Sequence, residues 1–100
     1  MRMMVRFAVP IEKGNKAFKD GSLKKTVETL MKKLKPEAAY FAALDGARTG
    51  MLFCDVAEPS QIVEFAEPLF LELDAAVEFI PVMNIEDLDK GMMKVAKAKG

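Results

Sequence analysis

The sequence predicts an α+β fold built on a four-stranded antiparallel sheet, and two observations carry this prediction. Four runs of strand-like length are apolar on both faces, as in strands that are covered on both sides; they are Met3–Val9, Ala38–Leu44, Gly50–Val56 and Ala75–Met83. Amphipathic stretches separate them, so the predicted order is β-α-β-β-α-β plus a C-terminal helix. Right-handed crossovers then give the ferredoxin-like sheet order 4-1-3-2, with the helices on one face.

In the first half of the chain, a strand and a helix have clear ends. The strand Met3–Val9 is ended by Pro10, which cannot donate to a sheet ladder. The helix Leu23–Leu34 has apolar residues along one stripe at helical period and lysines opposite. We expect Ser22 to cap this helix, and Pro36 to follow its end.

A hairpin and a second helix follow. The polar link Asp45–Arg48 contains a glycine at a turn position, and it joins the strands Glu37–Leu44 and Thr49–Val56. The next helix opens at Glu58-Pro59-Ser60, since proline is tolerated in a first turn. Pro68 lies inside the helical pattern, and we expect it to kink or split the helix.

The last strand and the C-terminal helix complete the domain, which covers residues 1–100. Pro81 lies in the strand and predicts that this strand is at a sheet edge. Asn84 is a suitable cap for a helix over Ile85–Lys97, which begins with acidic and ends with basic residues.

Composition narrows the class of protein. Fifteen basic and fifteen acidic residues give a formal net charge of zero, so nothing indicates a nucleic-acid partner. The start, MRMMVRFAVP, is typical of a strand and not of a signal peptide, and no apolar run is long enough to cross a membrane. The single cysteine, Cys54, cannot form an internal disulfide. We therefore expect a cytoplasmic protein.

Metal and cofactor signatures are weak. The chain has no histidine and one cysteine, and the acidic group Glu86, Asp87 and Asp89 is better explained as the first turn of a helix. Cys54 has no histidine to activate it, so it is expected to be a core thiol. We expect no metal and no cofactor.

The second sheet face predicts a homodimer. Helices cover one face only, and the residues of the other face are largely apolar, in a patch larger than monomers usually expose. A second copy, packed face to face around a two-fold axis, is the simplest cover. The alternative is that the C-terminal helix folds back over this face.

Charged and phenolic side chains within the strands are the candidate ligand-binding residues. Arg6, Asp55 and Glu78 interrupt apolar runs, and Tyr40 adds a hydroxyl group. The predicted strand order puts Arg6 beside Glu78, Asp55 or both. Arginine suits an anionic group, and a desolvated Glu78 suits a general base. The alternative is an ion pair that sets strand register.

The β-α-β-β-α-β pattern, with strands that are apolar on both faces, resembles the dimeric α+β barrel superfamily, which includes cofactor-free monooxygenases, muconolactone isomerases and chlorite dismutase relatives. More narrowly, four segments are similar to a small family of such domains with no assigned activity; they are Leu34–Phe41, Asp45–Thr49, Ala66–Phe70 and Pro81–Met83. The resemblance implies a homodimeric barrel; because the haem-binding members use a histidine, it implies no haem here.

Three functions are compatible with these observations. The first is a dimer that binds a small organic ligand. The second is a cofactor-independent isomerase or monooxygenase acting on a small aromatic or anionic substrate, by superfamily analogy. The third is a protein-interaction subunit that pairs through the C-terminal helix.

Overall fold

The computed structural model describes residues 1–100 and has the predicted sheet. Its four antiparallel strands lie in the order β2-β3-β1-β4, which is the predicted order, and the architecture fits a ferredoxin-like α+β fold. The elements are β1 (Arg2–Val9), α1 (Ile11–Asp20), α2 (Ser22–Leu34), β2 (Ala38–Leu44), β3 (Ala47–Asp55), α3 (Ser60–Leu73), β4 (Ala76–Pro81) and α4 (Ile85–Lys99). β4 is an edge strand, as Pro81 predicts.

The first crossover contains two helices, where the sequence predicts one clear helix. Gly21 separates α1 from α2 with a left-handed φ of 83°, which glycine adopts without strain. Ser22 does not cap α2 with its side chain. Its backbone N–H instead donates to Asp20 Oδ1 at 2.8 Å, and hydrogen bonding from Ser22 lowers the pKa of Asp20.

The hairpin turn is shorter than the predicted four-residue link. Asp45 and Gly46 alone connect the strands, with φ values of 53° and 76°, as in a type I′ turn. β3 therefore begins at Ala47. This extension places Arg48 inside the strand, with the same parity as the buried residues Leu52 and Cys54.

Pro68 does not split α3, which is continuous from Ser60 to Leu73. Proline lacks the N–H that would bond the carbonyl four residues earlier. That carbonyl belongs to Glu64, and Lys33 Nζ of α2 donates to it at 3.2 Å. A lysine from the neighbouring helix thus partners the backbone oxygen that Pro68 leaves without its helical donor.

The core lies between the sheet and helices α1 to α3. Alternate residues of β1 (Val5, Phe7 and Val9) are buried against the helices. On the other strands the helix-facing set includes Leu52, Cys54, Val77 and Phe79. The opposite set of each strand lies on the face without helices, here called the open face.

α4 extends away from the rest of the chain. Every residue of α4 is exposed, so it does not fold back over the open face. The radius of gyration is 16.4 Å, with extents of 59 × 27 × 18 Å, where a compact chain of this length has a radius of about 13 Å. Asn84 caps α4 as predicted, in a reciprocal capping box with Asp87. No helix is both long and apolar enough to span a membrane.

Candidate functional site

The largest cavity is an open cleft on the helix side of the sheet, beside the edge strand β2. Its volume is about 800 Å³, within the range of roughly 300–1,000 Å³ that is usual for small-molecule sites. Aromatic and aliphatic side chains from β1, α1, α2 and β2 form most of the lining, namely Phe7, Phe18, Leu23, Val27, Phe41 and Ala43. Lys24 and Arg48 add the charged groups.

The cleft exists because the helices leave β2 largely uncovered. Phe41 points to the helix side, yet 56% of its surface is exposed, and Phe18 at the end of α1 is 68% exposed. The floor is the ring of Phe7, which lies across Gly50 of β3. A Cβ at Gly50 would lie 2.5 Å from this ring, so glycine is required there for the close approach.

Arg48 is the distinctive polar group of the cleft. Its Nη2 donates to Asn15 Oδ1 at 3.0 Å, and its guanidinium carbon lies 6.0 Å from the centre of the Phe18 ring. No carboxylate oxygen lies within 4.0 Å of its guanidinium nitrogens. The other cation of the cleft, Lys24, has such a partner, since its Nζ is 3.9 Å from Glu28 Oε1. Arg48 is thus a half-buried cation, positioned by a neutral amide, with no anionic partner in the chain.

Gly14 makes room for this guanidinium. It is buried in α1, where glycine is less favourable than alanine by about 1 kcal/mol. A Cβ at this position would lie 2.6 Å from Nη1 of Arg48. The absence of a side chain at Gly14 therefore lets the guanidinium come close to the helix backbone.

The sequence-predicted residues lie on the opposite side of the sheet. Tyr40, Met51, Arg6 and Glu78 form one row across the four strands of the open face. Arg6 Nε is 3.4 Å from Glu78 Oε1, and Arg6 Nη2 is 3.9 Å from Asp45 Oδ2. Arg6 thus lies beside Glu78, which was one of the predicted arrangements.

Asp55 does not join this row. Asp55 lies at the C-terminal end of β3, opposite Arg2 of β1. Its Oδ1 is 2.9 Å from the N-terminal amine of Met1. Arg2 itself pairs with Glu37, and this carboxylate raises the pKa of Arg2. The structure therefore brings together Arg6, Tyr40 and Glu78 and leaves Asp55 at the solvated strand end.

Cys54 has the environment of a core thiol. It is buried on the helix side, and burial raises the pKa of the thiol, with smaller contributions from the charges of Asp55 and Glu37. The neutral, unreactive form is thereby favoured. No three metal-ligating side chains cluster anywhere in the structure.

The sequence interpretation missed the cleft residues. It assigned Arg48 to a loop, and it did not single out Phe18 or Phe41 as binding residues. A signal was present, since Asp45-Gly46 is a strong two-residue turn. Counting parity from that turn puts Arg48 in the same set as Leu52 and Cys54, an otherwise apolar set of β3 in which a charge is unexpected. No protein-family model matches the chain, and no curated protein matches it.

Proposed function

We propose that the protein binds a small organic molecule in the cleft beside β2. The observation that carries this proposal is an apolar cleft of about 800 Å³ with a single positioned arginine, because ligand sites combine apolar walls with a few placed polar groups. Titration of ¹⁵N-labelled protein with small aromatic compounds tests it. We expect amide shifts around Phe18, Phe41 and Arg48. Shifts confined to the open face, or no shifts at millimolar ligand, would contradict the proposal.

We further propose that the protein is a homodimer of the α+β barrel type, in which two open faces pack together. The middle of this face is an apolar row of Ala38, Phe53, Met4 and Ile80. Beside it lies the row that contains Arg6 and Glu78, whose charges satisfy each other. A paired charge with apolar neighbours is compatible with burial, whereas an unpaired charge is not.

We propose that α4 takes part in the same dimer, because the open face alone is small for a stable interface. Four strands of about seven residues give the face a flat outline of roughly 400 Å² before the relief of its side chains is counted, whereas a standard interface buries ~800 Å² of accessible surface per partner. α4 begins four residues after β4 ends, and its 15 residues extend about 22 Å. Its exposed side chains Leu88, Met92 and Val95 form one apolar stripe. This stripe, packed on the second copy, would add roughly 200 Å².

Light scattering after size exclusion tests the dimer and the role of α4. We expect the full chain to be dimeric at micromolar concentration, and a truncation after Asp89 to dissociate at lower concentration than the full chain. A monomeric full chain would contradict the dimer. Equal dissociation constants would contradict the assignment of α4 to the interface.

Three other expectations from the sequence concern a partner protein, catalysis and location. A protein-interaction subunit is a second candidate function, favoured by the full exposure of α4; truncation that leaves the dimer intact but abolishes binding of a different protein would favour it. The enzyme alternative relies on Glu78 as a general base. Because Glu78 lies on the open face, on the opposite side of the sheet from the cleft, it is not placed to act on a ligand bound there. A cytoplasmic location is supported by the free, buried Cys54, since a reducing compartment preserves thiols.

A further inference from the structure

The charge balance of the cleft defines a class of ligand. Arg48 is a permanent cation with five N–H donors, and one of these is bonded to Asn15. The others have no carboxylate within 4.0 Å in the chain. A guanidinium in apolar surroundings gains most from a planar anion that accepts two parallel hydrogen bonds.

The walls of the cleft define the rest of the ligand. Phe7, Phe18 and Phe41 all border the same space as Arg48, and aromatic rings favour stacked or edge-on contact with another ring. The Phe18 ring also lies beside the guanidinium, so the charged and aromatic parts of the cleft are adjacent. A rigid, flat molecule with its anionic group at one end satisfies both parts at once.

We propose that the cleft binds an aromatic monocarboxylate, whose carboxylate pairs with Arg48 and whose ring lies between the phenylalanines. This inference rests on the proposed ligand binding in the cleft and adds the class of ligand. Asn15 and Gly14 act as positioning residues: Asn15 holds the guanidinium from one side, and Gly14 leaves the space that it occupies.

The test compares 2-naphthoate with 2-naphthamide, which has the same ring system and no charge. Isothermal titration of the full-length protein measures both affinities. We expect 2-naphthoate to bind roughly 10–100-fold more tightly, the difference typical of a hydrogen-bonded charged group. Arg48→Met should reduce this ratio to about one. The matched control Arg2→Met removes one positive charge from the open face and should keep the ratio.

Gly14→Ala separates charge from geometry. Its Cβ would overlap Nη1 of Arg48, so the guanidinium must move while its charge remains. We expect 2-naphthoate to bind several-fold more weakly and 2-naphthamide to bind as before. We expect this variant to fold, because alanine favours a helix and the atom that its Cβ would overlap lies at the end of a long side chain.

The outcomes distinguish the ligand class from the site. Equal affinities for the two compounds, with loss of both in Phe41→Ala, would overturn the carboxylate proposal and leave the cleft as a ligand site. Failure of both compounds to bind at millimolar concentration would overturn the proposal as well. A naphthoate preference that survives Arg48→Met would show that another cation recognises the anion.

Discussion

Replacement of Pro68 by alanine should stabilise the protein. Pro68 lies in the middle of α3 without splitting it, and it leaves the Glu64 carbonyl without its helical donor. Lys33 Nζ from α2 donates to this oxygen at 3.2 Å. Pro68→Ala restores the missing N–H, so Glu64 regains its helical hydrogen bond and Lys33 becomes dispensable.

The magnitude follows from three terms. Proline inside a helix is about 3 kcal/mol less favourable than alanine. Alanine gives the unfolded chain more freedom, which offsets about 0.4–1 kcal/mol. Loss of the half-buried ring of Pro68 offsets roughly another 1 kcal/mol. The free energy of unfolding should therefore rise by about 1–1.6 kcal/mol, which for this chain length raises Tm by roughly 4–13 °C.

Thermal and urea unfolding, followed by circular dichroism at one protein concentration, measure this change. Glu67→Ala is the control, because it alters the neighbouring exposed residue without changing a backbone donor, and its effect should stay within about 0.5 kcal/mol. Lys33→Met should destabilise the wild type more than it destabilises Pro68→Ala. A Pro68→Ala variant no more stable than the wild type, with α3 intact by NMR, would refute the reasoning.

Three further predictions concern Cys54, the α4 cap and the open-face ion pair. Burial raises the pKa of Cys54, so above about pH 8.5 the unfolded chain loses the thiol proton first; the free energy of unfolding then falls as pH rises. Cys54→Ala should reduce that slope, and identical slopes would contradict the assignment. Asn84→Ala removes the side-chain cap of α4 and should weaken the helix by about 1 kcal/mol, seen as faster amide exchange in α4 with the sheet unchanged. A double-mutant cycle of Arg6→Ala and Glu78→Gln should give a coupling of about 0.2–1 kcal/mol in a monomeric state, and a larger coupling in the dimer; zero coupling in both would exclude a structural ion pair.

The sheet was predictable because its signals are local and repeated. Continuous apolar runs identify the strands, and Pro81 identifies the edge strand, since a missing N–H is harmless only there. Strand order alone placed Arg6 beside Glu78, Asp55 or both, and in the structure it lies beside Glu78. Parity then sorts the residues of each strand into two sets, but it does not say which set the helices cover. In the structure the set of β1 without charged residues, which includes Val5 and Phe7, packs against the helices.

The cleft was not predictable, because it depends on what the helices fail to cover. Periodicity identifies an apolar stripe on α2, but it does not say that the stripe stops short of β2. Phe41 therefore looks like a core residue in the sequence, although 56% of it is exposed. The position of α4 was not predictable for a similar reason. Its cap and its end charges can be identified in the sequence, whereas its separation from the sheet depends on contacts between distant parts of the chain.

Tyr40 and Phe41 separate the two proposals within one strand. They are neighbours in β2, of similar size and similar exposure, 63% and 56%, and successive strand residues point to opposite faces. Tyr40→Ala should weaken the dimer roughly tenfold or more, as for an interface aromatic, and leave 2-naphthoate binding unchanged. Phe41→Ala should weaken the binding of 2-naphthoate and leave the dissociation constant of the dimer unchanged. Because neither side chain is in the core, folding survives both changes, and the reverse pattern would show that the two faces have been assigned the wrong roles.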